Sequence, residues 1–162
     1  MKDDLGDTHG EIDLTNSELK VLIDAADFKF VSDYNWYLST RGYACTTING
    51  KKKRMHRVIM SPPDHLQIDH INRNKLDNTR KNLRVCTQKE NARNRPISKS
   101  NTSGFKGVHL EPRNKYSKWR AGIYLNGIHV HIGSFRTKEE AAKAYNDTAI
   151  RHFGDFAVLN TL

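Results

Sequence analysis

At 162 residues, 36% of them hydrophobic and 28% charged, the chain has room for one ordinary domain or two small ones and for no large single core. Its apolar runs are too short to span a membrane, and Asp3, Asp4 and Asp7 stand where a secretory signal would carry basic residues. This reads as a soluble intracellular, cytoplasmic protein with no membrane partner and no evident protein partner. The net charge of +9 is unevenly spread: residues 1–50 hold 4 Lys/Arg against 9 Asp/Glu, residues 51–100 hold 14 against 4, and residues 101–162 hold 9 against 5. Such a balance suggests a polyanion as partner, with nucleic acid the usual one, although a membrane surface would fit charge alone equally well. Cys45 and Cys86 belong to no CxxC pair. They exclude a four-cysteine zinc site and a disulfide framework, and read as two reduced, partly buried thiols.

Residues 12–60 read as short strands and turns. Asn49-Gly50, between Tyr43–Ile48 and Lys51–Met55, is a two-residue hairpin signal. Met55–Met60 reads as a short helix stopped by Pro62-Pro63. Gln67 onward gives a first strand flanked by Leu66, Ile68 and Ile71, a polar loop over Asn72–Asn82, and a second strand over Leu83–Cys86. Thr87 and Glu90 then have the spacing of a capping box that starts a helix at once. The pattern is β-loop-β-α. Residues 96–103, rich in Ser and Asn and without periodicity, read as a basic linker.

Beyond it, Lys118–Leu125 and Ile128–Ile132 flank Asn126-Gly127, a second two-residue turn. The expected register sets Leu125 opposite Ile128, Ile123 opposite Val130 and Ala121 opposite Ile132, giving one apolar face that Trp119 extends. The other face presents Lys118, Arg120, Tyr124, His129 and His131. Phe105–His109 is expected to supply a third strand. Thr137 and Glu140 form another capping box, opening a helix to about His152 with Gly154 as its stop; Ala141, Ala144, Tyr145 and Ile150 are expected to face the sheet. The fold class is α+β.

The chemistry concentrates in Asp69-His70, Asn82 and Asn91, which a β-loop-β-α hairpin brings toward one cleft. A carboxylate and an amide carbonyl are hard oxygen donors, suited to Mg²⁺ or Mn²⁺ and poor for zinc. An imidazole is the natural base to activate water near neutral pH. Regular strand alternation opposes the grouping, since adjacent Asp69 and His70 point to opposite faces unless the strand bends at its end. His56 is assigned a structural role and His65 an exposed one.

Met55-His56-Arg57, Asp69-His70, Asn82-Leu83-Arg84 and Asn91 together resemble the HNH, or ββα-metal, nuclease family, and within it the phage and intron-associated branch. The resemblance covers about residues 54–95 and implies a metal-dependent DNA endonuclease, of homing type and possibly phage-encoded. Asp69 and Asn91 would hold one Mg²⁺ or Mn²⁺ ion, His70 would be the general base, and Asn82 would pin the loop that orients it. Water would attack the phosphodiester to leave 5′-phosphate and 3′-hydroxyl ends.

Lys106-Gly107-Val108, Lys118-Trp119, Ile132-Gly133-Ser134-Phe135, Glu139 to Tyr145, Gly154, Ala157 and Asn160 resemble the plant Apetala/ethylene-response-factor DNA-binding domain, over about residues 103–160. That resemblance implies a three-stranded antiparallel sheet packed on one helix, with the sheet entering the major groove of duplex DNA. Lys106, His109, Arg113, Lys118, Arg120, Tyr124, His129 and His131 would be its contacts, and Arg84 and Arg93 would add contacts from the nuclease side. Because Arg reads guanine bidentately and His and Lys do so less well, the specificity should differ from the plant family's. The expected organisation is an acidic strand-rich segment (1–54), the nuclease module (55–95), the linker (96–103) and the DNA-reading domain (104–162). Two rival readings are a non-catalytic DNA-binding regulator with a vestigial nuclease motif and a structural RNA-binding protein.

Overall fold

The structure is a computed structural model that describes residues 8–94, 97–98, 100–111 and 118–162. It is α+β, with small antiparallel sheets and four α-helices among the described residues. The chain divides into two compact units, residues 1–91 and 92–162.

In the first unit β1 (His9–Leu14) and β2 (Ser17–Asp24) form a hairpin, followed by the short α1 (Phe28–Val31). A second sheet runs β3 (Tyr37–Leu38), β4 (Ala44–Ile48) and β5 (Lys51–Arg54). The β4–β5 turn is the expected Asn49-Gly50 pair, both residues with positive φ, as a two-residue hairpin turn with strand-matching twist requires. Helix α2 (Met55–Met60) follows at once. The β-loop-β-α module is β6 (Gln67–His70), β7 (Leu83–Cys86) and α3 (Gln88–Arg93). Thr87 and Glu90 cap α3 reciprocally: the Thr87 N–H donates to the Glu90 carboxylate and the Glu90 N–H to the Thr87 hydroxyl.

One core holds the unit. Ile12, Val21, Ile23, Val31, Trp36, Met55, Ile59, Ile68 and Leu83 pack together, so described residues before 54 share their core with β6 and β7 instead of forming a separate layer. Strand β2 also edges the polar loop: Leu22 N–H donates to Leu76 O and Asn78 N–H to Leu22 O, both at 2.8 Å. Arg80 closes this seam with two hydrogen bonds to the buried Asp27 carboxylate, at 2.6 and 2.8 Å, while its own N–H donates to Asp24. Acidic side chains of the N-terminal segment thus anchor the loop. Cys45 and Cys86 are both free and buried.

The second unit is a three-stranded sheet in the order β10-β9-β8, with β8 (Val108–Glu111), β9 (Lys118–Leu125) and β10 (Ile128–Phe135), packed on α4 (Lys138–Phe153). The third strand starts three residues later than the sequence suggests. Ile128, His129, Val130 and His131 pair as expected with Leu125, Tyr124, Ile123 and Gly122. A bulge at Ile132 then shifts the register, so that Ala121 meets Gly133 and not Ile132. The extra residue bends the strand onto the helix and keeps Ile132 among the apolar side chains of the core. The helix buries Ala141, Ala142, Tyr145 and Ala149 and leaves Ile150 exposed. Ile150, expected on the sheet face, lies exposed, and Ala149 is buried there instead. Gly107 has a φ of +72°, and a β-carbon there would overlap the Tyr145 ring and come within 2.6 Å of the Gly122 carbonyl oxygen. The segment read as a linker is partly built into this unit: the buried Ser103 hydroxyl donates to Val108 O at 2.7 Å, and Asn101 Nδ2 donates to Phe105 O.

Candidate active site

Strands β6 and β7 pair in regular register, Asp69 opposite Arg84 and His70 opposite Leu83. Alternation therefore sends Asp69 and His70 to opposite faces of the hairpin, with Asn91 on the Gln67–Asp69 side.

On one face, Asp69 is almost fully buried, and its Oδ2 accepts from Arg84 Nε (2.9 Å) and Nη2 (2.6 Å). Asn91 comes from α3 and donates through Nδ2 to Gln67 Oε1 at 2.6 Å. Cys86 is the cross-strand partner of Gln67, and burial pushes its thiol above the ordinary value, helped by the Asp69 and Glu90 charges. Arg84, expected among the DNA contacts, directs its Nε and Nη2 to Asp69.

On the other face, His70 and His56 are both buried and their rings meet edge to face at 5.0 Å. Tyr43 packs on His56 (5.3 Å) and His70 (6.1 Å). Asn78, itself buried, lies 3.2 Å from His70 Nε2 through its Oδ1. Asn78 Nδ2 faces the Lys75 carbonyl, which can only accept, so Oδ1 is the atom left for the imidazole. Neutral His70 then carries its proton on Nε2 and keeps its lone pair on Nδ1. Burial lowers the His70 pKa, against the hydrogen bond to Asn78 and the negative charges of Asp69 and Asp77. His56 falls to about 3, first through burial and then through the charges of His70, Arg54 and Arg57. Asp69 thus acts on His70 electrostatically although the two leave opposite faces of the strand.

Asn82 bridges the two ends of the loop. Its Oδ1 accepts from the Asn72 N–H (2.9 Å), its Nδ2 donates to Asp77 O (2.7 Å), and its own carbonyl accepts from the Ile71 N–H. Asn78, Tyr43 and the Arg80–Asp27 pair leave no mark in the sequence pattern. A polar loop gives no periodic signal for Asn78, and 53 positions separate Arg80 from Asp27.

In the second unit His109 lies opposite Arg120, Tyr124 opposite His129, and His131 opposite Gly122. The Tyr124 and His129 rings meet at 5.0 Å, and Tyr124 is 68% exposed. Arg120 Nη1 pairs with Glu111 at 3.1 Å, while its buried Nε has no hydrogen-bond partner among the described residues. Lys118 is exposed at the start of β9. Lys106 donates its ammonium to Arg93 O, and the Arg93 guanidinium lies 4.4 Å from the Phe153 ring. Arg113 lies outside the described residues.

A family of HNH endonucleases matches residues 53–93, the stretch that contains α2, the hairpin and α3. An uncharacterized HNH endonuclease of Acanthamoeba polyphaga mimivirus is 38% identical, over 82% of this chain and 70% of its own length. The chain belongs to the HNH endonuclease family. Membership makes this HNH protein a hydrolase of the kind that cleaves DNA. Protein 3.8 of Escherichia phage T7 is 35% identical over 59% of the chain and 76% of its own length. An ethylene-responsive transcription factor of Arabidopsis thaliana is 33% identical over 57% of the chain and 58% of its own length, a distant likeness. No solved structure matches the chain. No helix among the described residues is long and apolar enough to cross a membrane.

Proposed function

We propose that this HNH endonuclease hydrolyses duplex DNA at a preferred site of homing type, with His70 as general base and one Mg²⁺ or Mn²⁺ ion held by Asp69 and Asn91. The observation that carries the reading is the buried, loop-tethered imidazole of His70 at the end of β6, whose Nε2 lies 3.2 Å from the Asn78 Oδ1 acceptor. Nδ1 is then the atom that takes a proton from water. Asn82 holds the ends of the 72–82 loop together, and through the loop it sets Asn78 and the imidazole.

The donor set fits a hard divalent ion. Asp69 offers a carboxylate oxygen and Asn91 an amide oxygen, whereas the neighbouring Cys86 is held as a protonated thiol. When bound, the ion would supply charge that neutralises the scissile phosphate and stabilises the departing 3′ oxygen, which needs the end of β6 to bend so that the Asp69 carboxylate comes round to the His70 side. Reading of the major groove is assigned to the exposed face of the C-terminal sheet, with His109, Lys118, Arg120, Tyr124, His129 and His131 as contacts. The exposed Lys118 and Tyr124 side chains on that face support the assignment.

The test is cleavage of duplex DNA by the full chain with Mg²⁺, with Mn²⁺ and with chelator. His70→Ala is expected to cut about 10²–10⁴-fold more slowly while binding DNA as before. Undiminished cleavage by His70→Ala removes the base assignment. The Arg84 clamp on Asp69 favours a second reading, a DNA-binding protein whose motif no longer acts. Metal-independent binding with no cleavage at any divalent ion concentration selects it.

A further inference from the structure

A cleft of about 450 Å³ opens between the β3–β4 turn, β5 and α2, and its lining brings together Arg41, Tyr43, Lys52, Lys53, Arg54 and Arg57. The lining holds five cations and no carboxylate. Among the described residues no carboxylate lies in salt-bridge reach of Arg41, Lys52, Lys53 or Arg54, while Arg57 approaches exposed Asp64 at 3.9 Å and donates to the Leu66 and Pro63 carbonyls. Lysines on the β5 edge alone would be explained as protection against strand pairing. Edge protection does not account for Arg41 and Arg57, which reach the same cleft from the turn and from the helix.

Tyr43 joins this cleft to the histidines. Its ring has the Arg54 guanidinium and the Lys75 ammonium each 4.6 Å from its centroid, and it packs against His56 at 5.3 Å and His70 at 6.1 Å. An anion held in the cleft is therefore separated from the imidazole pair by one aromatic ring. Neutral His56 adds no charge at this junction.

We propose that the cleft lined by Arg41, Lys52, Lys53, Arg54 and Arg57 binds the phosphodiester backbone of the DNA strand beside the scissile phosphate, with Tyr43 as the wall between the two. The inference rests on the DNA-cleaving reading above and extends it to the N-terminal segment, whose β3–β5 sheet becomes part of the substrate surface. Backbone contacts of this kind set register and affinity without reading sequence.

The test uses the full chain carrying Arg41→Gln, Lys52→Gln and Lys53→Gln, three exposed positions, with binding to duplex DNA measured in chelator across a salt series. Each phosphate that is no longer neutralised should reduce the slope of log K against log salt by about 0.9, so the triple variant is expected to lose about 2–3 from the wild-type slope. The charge-preserving set Arg41→Lys, Lys52→Arg and Lys53→Arg should keep the wild-type slope, which separates charge from folding. An unchanged slope in the glutamine variant overturns the proposal, as does equal loss in both sets. Competition by inorganic phosphate or a mononucleotide as effective as by duplex DNA at equal phosphate concentration also overturns it, since the site would then be one for small anions. Because binding is read without metal, a wild-type chain that fails to cleave DNA counts against the nuclease reading while the slope still decides the cleft.

Discussion

Replacing Arg84 by Ala probes the carboxylate proposed to hold the metal. The Asp69 and Arg84 side chains are 7% and 15% exposed, and two N–H donors of the guanidinium converge on one carboxylate oxygen. Removing one partner of a buried pair leaves the other charge desolvated, at a cost of about 3–5 kcal/mol. For a unit of this size each kcal/mol moves the melting temperature by about 4–8 °C, so the transition of the first unit should fall by about 12 °C or more. If Asp69 is a metal ligand, a divalent ion there would replace the lost positive charge. At one hundred times its dissociation constant it returns about 2.7 kcal/mol. In the wild type the same ion would have to compete with Arg84 for Oδ2 and would return less. Melting the full chain with Mg²⁺ and with chelator should therefore show a larger Mg²⁺-dependent gain in Arg84→Ala than in the wild type, and none in Asp69→Asn. An equal gain in wild type and Arg84→Ala, or a gain that survives Asp69→Asn, refutes Asp69 as a metal ligand held in check by Arg84.

Two further outcomes are expected. The His56 pKa is about 3 when folded against an ordinary 6.5, so between those values the unfolded chain binds a proton that the folded chain refuses. His56 thus weighs against folding increasingly as pH falls below 6.5, by about 2 kcal/mol at pH 5. His70, Arg54 and Arg57 all oppose its charging. Denaturant titrations from pH 7 to pH 5 should show a shallower loss of stability for His56→Asn than for the wild type; equal slopes would place the effect elsewhere. In the C-terminal unit Ile123→Ala should cost about 2–5 kcal/mol, because Ile123 is buried beside Tyr145 and Ala149. Arg120→Ala should cost no more than about 1 kcal/mol of stability, its Glu111 pair being partly solvated, yet weaken DNA binding by about 1–3 kcal/mol. Calorimetry with a binding isotherm on the same samples separates the two, and the reverse pattern would put Arg120 on the core side.

Local patterns settled much of this protein. The Asn49-Gly50 and Asn126-Gly127 turns, the Thr87/Glu90 and Thr137/Glu140 capping boxes and the β-loop-β-α order are consequences of neighbouring residues, and they stand in the structure where the spacing sets them. The alternation at Asp69-His70 is equally local, and regular pairing does send the two side chains to opposite faces. What depended on residues far apart could not be read in advance. The bulge at Ile132 arises from fitting the end of β10 onto α4, and Ala149 in place of Ile150 is buried where that helix meets the sheet. The bond from His70 to Asn78, the hold of Asp27 on Arg80 and the gathering of Arg41, Tyr43 and Arg57 around one cleft join segments separated by loops and strands. Polar side chains carry no periodic signal of their partners. Packing of Ile12, Ile23, Met55, Ile68 and Leu83 into one core brings those segments together, and only then do the charges and imidazoles acquire neighbours.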